Sequence, residues 1–384
     1  MSEYKTLKCN EAAAYAAKLS RPDVVSAYPI TPSTTVPEQI SEFVADGKMD
    51  AEFIPVESEH SAMSGCIGAS ASGSRAFTAT ASQGLALMSE MLYIAAGMRL
   101  PISMAIGNRS LSAPINIWCD HQDMMAQRDT GWMQMYAESN QEAFDLIINS
   151  YKVAENEDVL LPAMTGFDAF ILTHTVEPVE IYDEEKVDDF LGEYNPSHAY
   201  VDSEDPMTQG TLGTPEYYME FRKETWDAMN NARDVFKDVF NEFEDEFGRS
   251  YDMVEKYRTE DAEIVFISMG SVTGTIKDAI DELRDEGVKA GLAKITVYRP
   301  FPIEEIKEIA KNAEAIAVAE KNVSFGSSGA VYQDVNRTIA NVSSRPMTLD
   351  FIIGLGGRDV RISTIKDIAD ITQDALDKFA RLAR

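Results

Sequence analysis

Cysteine is scarce in this 384-residue chain: Cys9, Cys66 and Cys119 are its three, and they lie far apart. No C-x-x-C spacing occurs, which excludes a self-contained four-cysteine iron–sulfur cluster or a cysteine-rich zinc site. The odd number also argues against a disulfide framework and points to a reducing compartment. Bases are in deficit as well. Lys and Arg total 34 against 64 Asp and Glu, a formal charge of -30. Phosphate recognition needs clustered Lys and Arg, so nucleic acid and anionic membrane are excluded as main partners. Long apolar runs are missing: the most apolar stretch, 85–106, is interrupted by Glu90 and Arg99, which spoils a membrane span. The N-terminus lacks a basic start followed by an apolar core, so no signal peptide is expected. A soluble cytoplasmic protein is the expectation. G-x-x-x-x-G-K-[ST], G-x-G-x-x-G, G-x-S-x-G and H-E-x-x-H are all absent.

What is present is ordinary globular composition, 45% hydrophobic and 26% charged, at a length suited to two or three domains. Short apolar runs alternate with helical patterns. Asn10 reads as the cap of a helix that stops before Arg21-Pro22. Strands are expected at 24–28, 53–56, 76–81 and 101–106. Helices are expected from Pro37 to Gly47, over 59–72 with Gly73 as the stop, over 85–96 and over 141–154. Residues 159–164 form a further apolar run. Residues 183–250 carry 19 acids against 6 bases and read as a connecting segment that wraps the surface, with a long helical pattern from about Pro215 that ends in the tract Glu242 to Phe247. From Ala262 the alternation resumes, with strands at 264–267, 293–297, 315–319 and 348–353 and helices at 275–284, 303–311, 327–340 and 365–380. Strand–helix alternation implies parallel sheets with helices on both faces. The expected class is α/β with two parallel-sheet domains, 1–182 and 256–384, joined by an acidic segment at 183–255.

In open parallel sheets, ligands gather outside the carboxyl ends of the strands. The candidates are therefore Pro29 to Ser33, Glu57 to Glu59, Ser82 to Gly84, and Gly107 to Arg109, followed by Asp120-His121-Gln122-Asp123. Each has a plain structural alternative. Thr31 and Ser33 can cap a turn, and Glu57 and Glu59 suit a helix start. Arg109 can be a surface ion pair. The Asp-His-Gln-Asp run fits hydrogen-bonded loop structure better than a metal site. Ser324 to Gly329, before a helix, can hold an anion or simply cap that helix.

Taken in order, these loops carry a resemblance. Tyr28-Pro29-Ile30-Thr31-Pro32-Ser33, Ser58-Glu59 with Ala62 and Gly68, Thr78 to Gly84, and Asn108 to Pro114 with Trp118 and Asp120 to Asp123 resemble the 2-oxoacid:ferredoxin oxidoreductases. Those enzymes use thiamine diphosphate, and the last motif is similar to the pyruvate-type α subunit. The resemblance implies a thiamine pyrimidine-binding domain followed by a transketolase C-terminal-like domain. It gives Glu59 the catalytic role, bonding the aminopyrimidine ring of the cofactor. Arg109 and Thr31 would bind the 2-oxoacid, since arginine offers a carboxylate a bidentate fork. Pro29, Ser82, Gln83 and Asn108 would be weaker cofactor contacts.

The family's Gly-Asp-Gly motif for diphosphate and Mg²⁺ is absent, so the chain is expected to hold half a thiamine site and to ligate no metal. Mg²⁺ and [4Fe–4S] clusters would sit on partner subunits, β, γ and δ, with ferredoxin as electron acceptor. The activity implied is the reversible conversion of pyruvate and coenzyme A to acetyl-CoA and CO₂. The alternatives are branched-chain 2-oxoacids or 2-oxoglutarate as substrate, and a non-catalytic assembly or regulatory subunit.

Overall fold

The structure is a computed structural model that describes residues 2–196, 201–343 and 345–382. Its strands are β1 (Glu3–Lys8), β2 (Val24–Ala27), β3 (Glu52–Pro55), β4 (Ala76–Thr80), β5 (Ser103–Asn108), β6 (Met133–Ala137), β7 (Ala163–Asp168) and β8 (Val176–Ile181). They continue with β9 (Val254–Tyr257), β10 (Ile264–Ser268), β11 (Ala290–Ile295), β12 (Val297–Arg299), β13 (Ala315–Glu320) and β14 (Met347–Ile352). Among the described residues, β12-β6-β7-β5-β4-β2-β3 form one sheet, β14-β13-β10-β11-β9 a second, and β1-β8 an antiparallel pair. The first sheet is parallel except at β12, and the second except at β9. This is the expected α/β class.

The central strands β4, β5, β7, β10, β11 and β13 are buried along their whole length. That agrees with their apolar runs, because helices cover both faces of a parallel sheet. The edge strand β3 is largely exposed. At the other edge, β12 pairs antiparallel with β6, Val297 opposite Met135. A strand from the later half of the chain thus covers the edge of the earlier sheet, which removes an open row of backbone donors and acceptors.

Several local expectations needed correction. The first helix is Cys9–Leu19, and Asn10 does not cap it. Glu11 accepts a bond from the Lys8 N–H instead. The buried Asn10 amide donates to the Pro32 carbonyl at 2.7 Å and the Thr35 hydroxyl at 2.6 Å. The expected helix over 85–96 is two helices, Ser82–Leu87 and Ser89–Gly97. The apolar run at 159–164 contributes only its end to β7, which runs on to Asp168.

The acidic tract is not simply a solvated wrapping. Helix Tyr218–Phe247 buries Ala228, Ala232, Phe236, Val239, Phe240 and Phe243, a stripe at helical spacing. That face packs on helix Asn140–Ala154 and keeps the acids outward. Nor does the helix after Ser324 to Gly329 offer its N-terminus to an outside anion. It begins at Ala330, and Glu320 accepts the N–H groups of Val331 and Tyr332, both at 2.9 Å.

Candidate active site

Thr31 follows β2, Glu59 follows β3, Ser82 and Gln83 follow β4, and Asn108 and Arg109 close β5. Parallel strands bring all of these to one carboxyl edge of the first sheet. Ser58 caps helix Glu59–Ala71, accepting the Ser61 N–H. Its own carboxylate thus freed from capping, Glu59 is buried at 6% exposure. Among the described residues that carboxylate has no hydrogen-bond or ion-pair partner. Its neighbour is Gly84, where a Cβ would lie 2.6 Å from Glu59 Oε1 and 2.4 Å from Thr80 Oγ1. Glycine is therefore required there by space. Thr80 Oγ1 is itself buried without a partner. Glu57, the other acid of this loop, is occupied: it accepts from Ser61 Oγ at 2.5 Å.

Arg109 is no surface ion pair. It is 7% exposed, and its guanidinium donates to two carbonyls, Thr31 at 2.8 Å and Asn116 at 3.2 Å. Burial lowers its pKa from the ordinary value. A guanidinium held by neutral carbonyls keeps its full charge for an anion. The Thr31 carbonyl is thus tied to Arg109, while Thr31 as a whole and Pro29 are exposed.

Asp123 links these loops. Its Oδ2 accepts the N–H groups of Ser82 at 3.0 Å and Arg109 at 2.9 Å, and its Oδ1 accepts Asn108 Nδ2 at 2.9 Å. Burial pushes its carboxyl up to about 6, against the pull of those donors. Ser82 lies at φ +49°, where non-glycine residues are rare. Its hydroxyl donates to the Ser110 carbonyl. Gln83 donates to the Ser112 carbonyl at 3.5 Å. The contacts thus run from Glu59 through Gly84 and Ser82 to Asp123, Arg109 and Thr31.

Of the rest of the Asp-His-Gln-Asp run, Asp120 and His121 are hydrogen-bonded loop, as expected, whereas Gln122 opens the short helix Gln122–Ala126. Asp120 accepts Ser110 Oγ at 2.7 Å, and His121 Nε2 lies 2.8 Å from Asp168 Oδ1. Asp168, at the end of β7, also receives Lys321 Nζ at 2.9 Å and Ser271. Burial would raise the Asp168 pKa, but Lys321 and His121 outweigh it and hold the carboxyl far below its usual range. Lys321 further donates to Cys119 Sγ at 3.0 Å, and burial pushes that thiol up to about 11. This buried cluster seams the two parallel sheets together. Sequence reasoning missed both Asp168, the last residue of β7, and Lys321, which directly follows β13; their place at strand carboxyl ends was the available signal.

A thiamine aminopyrimidine fits this edge. Glu59 offers a buried carboxylate, Gly84 a wall without a side chain, and Thr80 an unpartnered hydroxyl. Among the described residues no group of three His, Cys, Asp or Glu is placed to hold a metal ion. No helix among them is long and apolar enough to cross a membrane.

Fold and site together define a thiamine-type α/β enzyme subunit. Among solved structures, the fold is similar to a 2-oxoglutarate:ferredoxin oxidoreductase from Magnetococcus marinus, with TM-score 0.75 at 18% identity over 96% of this chain. This chain spans 65% of the length of that one. A split-gene transketolase gives TM-score 0.53 at 13% identity, covering 96% of this chain and 97% of the other. Residues 15–241 match the family model for pyruvate flavodoxin/ferredoxin oxidoreductase, thiamine diphosphate-binding, and 262–365 match pyruvate:ferredoxin oxidoreductase core domain II. The chain belongs to this family and is an oxidoreductase subunit.

It is 63% identical over 372 residues to pyruvate synthase subunit PorA of Pyrococcus furiosus, covering 97% of this chain and 94% of the relative. It is 50% identical over 356 residues to PorA of Thermotoga maritima, covering 93% and 91%. It is 49% identical over 375 residues to ketoisovalerate oxidoreductase subunit VorA of Pyrococcus abyssi, covering 96% and 94%.

Proposed function

We propose that this chain is the α subunit of a pyruvate synthase. With its partners it interconverts pyruvate, coenzyme A and oxidised ferredoxin with acetyl-CoA, CO₂ and reduced ferredoxin. The observation that carries the reading is the buried Glu59 carboxylate against Gly84, on the same sheet edge as a buried, carbonyl-held Arg109. Thiamine diphosphate, when bound, supplies the acidic carbon that attacks a keto group and the electron sink that follows. Glu59 bonds the aminopyrimidine ring and governs the proton at its ring nitrogen. Arg109 grips the 2-oxoacid carboxylate, and the Thr31 hydroxyl bonds the substrate's oxygens. Pro29, Ser82, Gln83 and Asn108 shape the wall of the cofactor site. In this reading, residues 1–182 form the pyrimidine side, 183–255 the connector and 256–384 the second α/β domain.

The rest of the machinery belongs to partners: a β subunit for the diphosphate, Mg²⁺ and a [4Fe–4S] cluster, a δ subunit with further clusters, and a γ subunit. All three cysteines here are free and buried, which suits the cytoplasm. The similarity to a ketoisovalerate enzyme favours a second reading, a branched-chain 2-oxoacid as substrate. One experiment decides both. The chain is purified alone and with its partners and assayed for one-electron acceptor reduction with pyruvate, 2-oxoisovalerate and 2-oxoglutarate. The isolated chain is expected to be inactive, and the complex to have its highest kcat/KM on pyruvate. A higher value on 2-oxoisovalerate establishes the second reading, and inactivity of the complex on all three refutes both.

A further inference from the structure

We propose that Asp123 is the positioning residue that sets Arg109 and Ser82 in register, so that the substrate and cofactor sides of the site are placed by one carboxylate. The inference rests on the function proposed above. Four observations carry it. Asp123 is 1% exposed, and no basic side chain pairs with it among the described residues. A buried carboxylate with no cation in contact is costly; the Arg109 guanidinium acts on it only through space, and its main compensation comes from the N–H groups aimed at it. Those donors come from two different loops: the Ser82 N–H after β4, and the Arg109 N–H and Asn108 amide at the end of β5. The Met124 N–H is the fourth donor, at 2.8 Å on Oδ1. Finally, Ser82 stays at φ +49°. A serine holds that conformation only when its surroundings over-determine it, and Asp123 supplies the backbone bond that does so.

The geometry makes the role specific to a carboxylate. Each oxygen of Asp123 faces two N–H donors, and nothing that accepts. An asparagine of the same shape must turn its own NH₂ toward one of those donor pairs, whichever way it flips. Asp123→Asn therefore breaks either the Ser82 and Arg109 pair or the Asn108 and Met124 pair without changing volume. The released loop carries Arg109, whose guanidinium reaches the Thr31 carbonyl from that backbone. A displacement of the order of 1 Å there costs about 100-fold in rate.

The test uses the assembled complex loaded with thiamine diphosphate, comparing wild type, Asp123→Asn, Arg109→Ala and the double variant. Asp123→Asn is expected to retain its partner subunits and cofactor, to raise the pyruvate KM at least about 5-fold, and to lower kcat/KM by about 10- to 100-fold. In the Arg109→Ala background the same change is expected to add little to KM, because its route to substrate is gone. A lowered Tm with KM within 2-fold of wild type assigns Asp123 a purely structural role and overturns the proposal. Undiminished KM effects in the Arg109→Ala background overturn it also. If Asp123→Asn does not assemble, Asp123→Glu is measured instead. It keeps the acceptors but displaces both loops, so its KM is expected to rise about 3-fold, and an unchanged KM overturns the proposal. Failure of the functional reading looks different: the wild-type complex itself is then inactive on the 2-oxoacids.

Discussion

Gly84→Ala is the sharpest small perturbation of the site. In an exposed helix this change stabilises by roughly 0.5–1 kcal/mol, since alanine loses less backbone entropy. Here the new methyl lands 2.6 Å from Glu59 Oε1 and 2.4 Å from Thr80 Oγ1. Restoring an ordinary contact of about 3.4 Å pushes the Glu59 carboxylate away by about 0.8 Å. Overpacking of this kind costs about 1–3 kcal/mol, which the helix gain offsets in part. Net destabilisation then lies between about 0 and about 2.5 kcal/mol. Catalysis suffers far more, because a misplacement near 1 Å costs about 100-fold. The assay is pyruvate-dependent reduction of a one-electron acceptor by the assembled complex, with calorimetry on the same preparation. The expected result is a 10- to 100-fold loss of kcat/KM beside a small change in Tm. A Gly84→Ala complex with kcat/KM within 2-fold of wild type would refute the claim that Glu59 must sit where it does.

Other perturbations separate chemistry from packing. Arg109→Ala should chiefly raise the 2-oxoacid KM; steady-state kinetics with an unchanged KM would move the carboxylate anchor elsewhere. Lys321→Met leaves Asp168 buried without its main cation and should destabilise by about 3–5 kcal/mol in denaturant titration. Phe240→Ala should cost about 3–5 kcal/mol, because its ring is packed at the centre of the long helix's buried face. Burial pushes the Asp145 carboxyl up to about 7, despite bonds from Tyr251 and Tyr182. The folded chain then binds that proton more tightly than the unfolded chain, whose aspartate titrates near ~3.9. This group's contribution to stability therefore falls as pH rises from about 4 to about 7, then levels off. Asp145→Asn should remove that decline in melting curves taken across the range, and a parallel pH dependence in the variant would contradict the assignment.

How much of this was legible in the sequence depends on how local each feature is. Buried parallel strands such as Ala76–Thr80 and Ser103–Asn108 announce themselves as apolar runs. The carboxyl-edge rule then picks out Thr31, Glu59, Ser82 and Arg109 without any coordinates. What escaped was set by distant contacts. Asn10 has the composition of a helix cap, yet its amide is drawn to Pro32, 22 residues on. Asp168 and Lys321 meet across 153 residues. No local pattern reports such a pair, because it exists only once the carboxyl ends of β7 and β13 meet. Asp123 was visible as part of a polar run. Its engagement of two separate loops was not, since that follows from the adjacency of β4 and β5. In the acidic 183–250 tract the long helical pattern from about Pro215 is legible and corresponds to helix Tyr218–Phe247, but charge hid the phenylalanine stripe that it buries. The stripe shows at helical spacing once the acids are set aside.

The central claim is that Glu59 governs the proton on a thiamine ring. Its most direct test is Glu59→Gln in the fully assembled complex, an almost isosteric change that removes only the carboxylate's charge and proton-accepting capacity. Subunit composition and cluster absorbance should match wild type, while pyruvate-dependent turnover should fall to background. Turnover at the wild-type rate would contradict the account.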